Sequence, residues 1–118
     1  MPGLVRVDKY LGGMDGRAMT TLEKAATGLE AIGSPVRLEV YRLLVRAGPN
    51  GLPVGRIQER MGIPGSTLSH HLKYLETAEM IVRRREGTTH YCTANYLVMQ
   101  DLIDFLTEEC CVESGPGC

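Results

Sequence analysis

The apolar positions of this chain fall into phases separated by glycine and proline. Leu22, Ala25, Ala26, Leu29 and Ile32 recur at the spacing of one helical face, and Thr20 or Thr21 can cap the helix this predicts. Gly33 ends it. Ser34 and Pro35 open a second helix, serine as cap and proline in the first turn, with Val36, Leu38, Val40, Leu43 and Leu44 apolar. Gly48-Pro49-Asn50-Gly51 then breaks the chain. A short helix is predicted over about 54–61, followed by a tight turn at Gly62-Ile63-Pro64-Gly65. Ser66 caps the next helix, which runs to about Ala78 with Leu68, Leu72 and Leu75 inward. Residues 81–85 and 89–93 predict two strands joined at Glu86-Gly87-Thr88. Asn95 caps a last helix reaching about Glu109, apolar at Leu97, Leu102, Ile103, Phe105 and Leu106.

The pattern divides the chain into three parts. Residues 1–19 hold four glycines and one proline with no period, which predicts a flexible arm. Residues 20–109 form one folded domain, and 110–118 an irregular tail. The 118 residues support one modest core, and 43% hydrophobic with 23% charged residues reads as a soluble globular protein. No apolar run approaches the roughly 20 residues of a membrane span, and the N-terminus has no signal-peptide core. A cytoplasmic protein with no membrane partner is expected.

The net charge of -1 hides a segregation. Residues 52–96 carry six Lys/Arg, four Asp/Glu and all three His. Residues 97–118 carry no Lys or Arg but five acids: Asp101, Asp104, Glu108, Glu109 and Glu113. A near-neutral total therefore leaves room for a nucleic-acid partner, because the local stripe decides that.

Two short helices around a glycine-bearing turn, followed by a hairpin, describe a winged helix-turn-helix: mainly α with a small β-hairpin. In such folds the second helix enters the major groove and the hairpin straddles the neighbouring backbone. Its outward positions here are Ser66, Thr67, Ser69, His70 and Lys73, all able to hydrogen-bond to bases or phosphates. Arg83, Arg84 and Arg85 lead into the wing, where Arg84 and Arg85 are expected on phosphate. The plainer reading is a solvated helix surface and a basic edge that discourages strand aggregation. His70 and His71, being adjacent on a helix, point about 100° apart and are poorly set to chelate one ion. No phosphate-cradling glycine loop, ordered Ser–His–Asp set or cleft carboxylate pair points to an enzyme.

Cys92 stands alone, whereas Cys110, Cys111 and Cys118 crowd the last nine residues. A secreted disulfide framework would distribute its cysteines. A terminal thiol cluster reads instead as a metal site or a redox site, while exposed thiols with no role are the bland alternative. Cys92, alternating within a strand, is read as packing.

Three segments carry a resemblance: Ser34-Pro35-Val36-Arg37, Ser66-Thr67-Leu68-Ser69-His70-His71-Leu72, and Arg84-Arg85-Glu86-Gly87. With them, about 22–109 resembles the ArsR/SmtB family of winged-helix metal and metalloid sensors. The resemblance implies a homodimer packed through its first and last helices. It implies operator DNA read by two recognition helices with no cofactor required, and release on inducer binding. Several of the family's sensing sites have no counterpart here. Residues 1–91 contain no Cys, and 97–109 contain Asp101 and Asp104 but no His. What remains is Cys110, Cys111 and Cys118, which resembles the arsenic-responsive subgroup with an adjacent Cys pair at the end of the last helix. Soft thiolates suit soft centres. Trivalent arsenic takes three ligands, so trivalent arsenic or antimony is the expected inducer. A thiol-redox repressor and a zinc- or cadmium-responsive repressor are the alternatives.

Overall fold

The computed structural model describes residues 21–115. The arm predicted over 1–19 and the tail residue Cys118 lie outside them. The elements are α1 (Leu22–Ala31), α2 (Pro35–Ala47), β1 (Leu52–Pro53), α3 (Val54–Met61), α4 (Gly65–Thr77), β2 (Ile81–Glu86), β3 (Thr89–Ala94) and α5 (Tyr96–Thr107). Three helices start where the sequence places a cap. The side chains of Thr21, Ser34 and Asn95 accept from the backbone N–H three residues on, at Lys24, Arg37 and Val98.

Helix α4 differs from the expectation at its start. It begins at Gly65, and the cap position is Pro64, at φ -60° and ψ 149°, with no side-chain capping bond. Proline's ring fixes φ, so the chain is already set to turn into the helix one residue before Ser66. The Pro64 carbonyl accepts the Leu68 N–H at 3.0 Å. Ser66 is therefore a surface residue of the first turn and not a cap. Helix α3 closes at Gly62, whose left-handed φ of 65° suits glycine.

The hairpin is part of a three-stranded antiparallel sheet in the order β1-β3-β2. The two-residue β1 was not foreseen, because Leu52-Pro53 is too short to show a period. Gly51 permits it: at φ 73°, an added Cβ would stand 2.3 Å from the Cys92 carbonyl oxygen.

The core is one cluster, and among the described residues no charged residue is buried. Val40 and Leu44 of α2, Ile57 of α3 and Leu68, Leu72 and Leu75 of α4 are fully buried, with Met80, Ile81 and Cys92 behind the wing. In α5, Leu102 belongs to this core, whereas Leu97, Ile103 and Leu106 are exposed. Leu22 and Leu29 of α1 are exposed as well. Leu106 follows Leu102 by one turn on nearly the same side of α5, and exposure rises toward the helix end. Helix α5 stops at Thr107, and a run of turns continues to Ser114. Among the described residues, no helix is long and apolar enough to cross a membrane.

Candidate nucleic-acid interface and thiol tail

Leu68, Leu72 and Leu75 fasten one face of α4, so its opposite face is presented to solvent. Ser66, Thr67, Ser69, His70 and Lys73 are all exposed there. The helix is held in angle by Arg37 at the start of α2. Its Nε donates to the Ala31 carbonyl at 2.6 Å and another guanidinium nitrogen to the Glu30 carbonyl at 3.3 Å. The same guanidinium lies 4.0 Å from the centre of the Tyr74 ring on α4. One residue thus closes the Ala31 carbonyl at the end of α1, shares the Glu30 carbonyl with the Gly33 N–H, and stacks on the exposed-face helix.

Strand alternation places Arg83 and Arg85 on one face of β2 and Arg84 on the other. Arg83 pairs in register with Cys92, Arg84 with Tyr91 and Arg85 with His90. Arg83 is half-buried and turns back to Glu76 of α4 at 3.6 Å. It braces the wing against the helix and does not lead outward with the other two. Arg84 Nε donates to Glu86 at 2.9 Å, and its guanidinium lies 4.7 Å from the Tyr91 ring centre. Arg85 Nε donates to the Gly87 carbonyl at 2.8 Å. Both are exposed, and surface contacts of this kind exchange at little cost.

His71 sits behind the outward face. Its Nδ1 is buried without a hydrogen-bond partner among the described residues. Burial, then the charges of Arg37 and His70, hold its pKa below the usual histidine range. The two imidazoles meet edge to face with centroids 6.1 Å apart. Cys92 is buried, and burial raises its thiol pKa, partly opposed by Arg83 and reinforced by Glu76.

After α5, the Cys110 N–H donates to Thr107 at 2.9 Å and the Val112 N–H to Glu109 at 3.1 Å. Between these turns Cys111 takes a left-handed φ of 59°, uncommon for a residue with a Cβ. Regular helix would splay adjacent side chains by about 100°. Here the two Sγ atoms lie 3.6 Å apart. Two thiolates on one centre at about 2.3 Å, with a bond angle between about 90° and 110°, stand roughly 3.3–3.8 Å apart. Cys111 is disulfide-bonded in this structure. No group of three potential metal ligands occurs among the described residues.

Residues 32–84 match a family described as a helix-turn-helix domain. The chain is 34% identical over 85 residues to an uncharacterized HTH-type transcriptional regulator, MJ1325, of Methanocaldococcus jannaschii, covering 72% of this chain and 89% of that one. It is 29% identical over 84 residues to the arsenical resistance operon repressor of Staphylococcus aureus, covering 71% and 78%. Among solved structures, the ArsR family transcriptional regulator RHA00566 superposes with TM-score 0.68 at 18% identity, over 84% of this chain and 99% of that one. The homodimeric winged helix-turn-helix domain of Mb0332 from Mycobacterium bovis superposes with TM-score 0.59 at 24% identity, over 82% and 89%. The chain belongs to the ArsR family of winged helix-turn-helix transcriptional regulators.

As an ArsR-family regulator, it brings its outward residues together in two groups. Ser66, Thr67, Ser69, His70 and Lys73 share the α4 surface, and Arg84 and Arg85 share the wing. Sequence reasoning overlooked His90 and Tyr91, which stand opposite those arginines on β3. Period-2 alternation across the hairpin, with the register fixed by the Gly87 turn, is the signal that could have found them. It also overlooked Arg37, which carries no local signal beyond its place in the Ser-Pro-Val-Arg motif.

Proposed function

We propose that this ArsR-family regulator is a dimeric transcriptional repressor released from operator DNA by trivalent arsenic bound at Cys110 and Cys111, with Cys118 as third ligand. The observation that carries the reading is the 3.6 Å approach of the two sulfurs at a strained turn ending α5. The similarity to an arsenical resistance operon repressor supports the choice of inducer. Antimony(III) has the same ligand preference. The apolar residues Leu22, Leu29, Ile103 and Leu106, left exposed on α1 and α5, support a two-fold interface there. A groove of about 420 Å³ between α1, α2 and α5 runs beside them.

On DNA, Ser66, Thr67, Ser69, His70 and Lys73 enter the major groove, and Arg84 and Arg85 hold phosphates. Inducer at the end of α5 then acts on the dimer geometry that sets the spacing of the two α4 helices. Emptying an operator from 99% to 1% occupancy needs about 5.5 kcal/mol of differential affinity. Only the part of the thiolate bonding that differs between the two dimer geometries counts toward it.

A second reading has its own support, because Cys111 is disulfide-bonded. In that reading oxidation replaces the metalloid as the releasing signal. One experiment separates them: operator release followed by fluorescence anisotropy, with arsenite, zinc and peroxide as titrants. In excess reductant, arsenite should release the native chain but not Cys110→Ser or Cys111→Ser, while each variant still binds operator. Release by peroxide alone would favour the redox reading. On the same operator, His70→Ala should lose about 1–3 kcal/mol of sequence discrimination. Arg84→Ala should weaken operator and random DNA alike and flatten the salt dependence.

A further inference from the structure

We propose that the groove between α2 and α3, edged by Arg42, Arg46 and Arg60, receives the acidic tail segment 108–113 of a second copy of this chain. The groove is about 530 Å³; Leu38, Leu43 and Met61 provide its apolar lining, and Glu39 sets one carboxylate against the three guanidinium groups. Arg42 and Arg46 stand one turn apart on the outer side of α2, and Arg60 lies on the last turn of α3. Among the described residues, none of the three forms an ion pair or side-chain hydrogen bond.

The tail supplies the complementary chemistry. Glu108 and Glu113 are exposed, and Val112 between them is 65% exposed. From residue 97 onward the chain has acids and no Lys or Arg. An acidic segment with one apolar side chain fits a basic groove with an apolar lining.

The placement rests on the dimer reading above. Leu38, Arg42 and Arg46 also edge the groove that Ile103 and Leu106 line, so the two grooves are continuous across α2. A two-fold axis perpendicular to α5 makes the two copies of that helix antiparallel. The end of one α5 then lies beside the start of the other. That start is pinned to α2: the Tyr96 hydroxyl approaches the Leu44 and Val45 carbonyls at 3.3 and 3.1 Å. A tail leaving the second copy's α5 therefore emerges at the last turn of α2, where Arg46 stands. Cys110 and Cys111 come to lie among guanidinium groups, a setting that favours thiolate once the Cys111 disulfide is reduced. The tail also touches α3, the helix before the recognition helix, which gives the sensor a short path to the DNA-reading unit.

The test is a charge exchange between copies. Arg42→Glu/Arg46→Glu is one variant and Glu108→Arg/Glu113→Arg the other, all at exposed positions, with folding checked by circular dichroism. Each homodimer would oppose like charges, whereas the mixed dimer has two matched grooves. Native mass spectrometry of the mixed, reduced full-length chains at low salt should give heterodimer well above the statistical half. High salt should return it toward that half. A statistical half at low salt would overturn the inference, including the case in which each tail folds onto its own groove. If mixing is statistical and only the arginine variant loses operator affinity, the groove contacts DNA instead. A monomeric native chain would sink the dimer reading, and this inference with it.

Discussion

Tyr41 is buried in the core of α2, and its hydroxyl has no partner among the described residues. Burial, then the neighbouring Tyr96, pushes its pKa up to about 12, so the phenol is neutral at every working pH. A buried hydroxyl left unpaired costs about 1–3 kcal/mol. Tyr41→Phe keeps the ring and removes the orphan group, so it should raise the unfolding free energy by about 1 kcal/mol. In urea, the midpoint should rise with an unchanged slope. At this scale the caps were legible, because a cap is a bond across three residues. Ser66 was misplaced for the same local reason: Pro64 presets the turn, and a Ser two residues later resembles the cap it is not.

Between elements, Arg37 joins three helices through two carbonyl contacts and one ring. Hydrogen bonds from a charged donor contribute roughly 1.5–3 kcal/mol, and a cation over a ring about 0.5–1 more at exposed sites. Arg37→Ala should therefore destabilise the fold by about 2–3 kcal/mol in thermal unfolding. Arg37→Lys should recover only part of this, since an ammonium lacks the planar fork that serves both carbonyls and the ring. Apart from β1, the elements themselves were legible from their periods. Arg37's contacts were not, because they depend on how α1 and α4 approach α2. Likewise, the three arginines of β2 look equivalent in sequence, and only the register with β3 turns Arg83 inward and Arg84 outward.

Over the whole molecule, two leucines one turn apart on α5 predict two different outcomes. Leu102 is 7% exposed and belongs to the chain's own core. Leu102→Ala should cost about 2–5 kcal/mol of stability. Leu106 is 58% exposed, so Leu106→Glu should leave the chain folded. In a symmetric interface the added charge is buried twice. Sedimentation at micromolar concentration should then show the Leu106 variant as monomer and the native chain as dimer. A variant that sediments like the native chain would place the interface elsewhere.

The order of helices, turn and hairpin was set by the sequence itself, because hydrophobic period, caps and glycine breaks act over a few residues. So was the outward set on α4, once Leu68, Leu72 and Leu75 defined its inner face. The tertiary structure alone decided which apolar residues of α5 the chain keeps for its own core and which it leaves exposed. A helical stripe names a side, but only the neighbouring helices fix where its edge falls. It also decided that Cys110 and Cys111 face each other. That requires a left-handed residue after the helix, a conformation no spacing of two adjacent cysteines can specify.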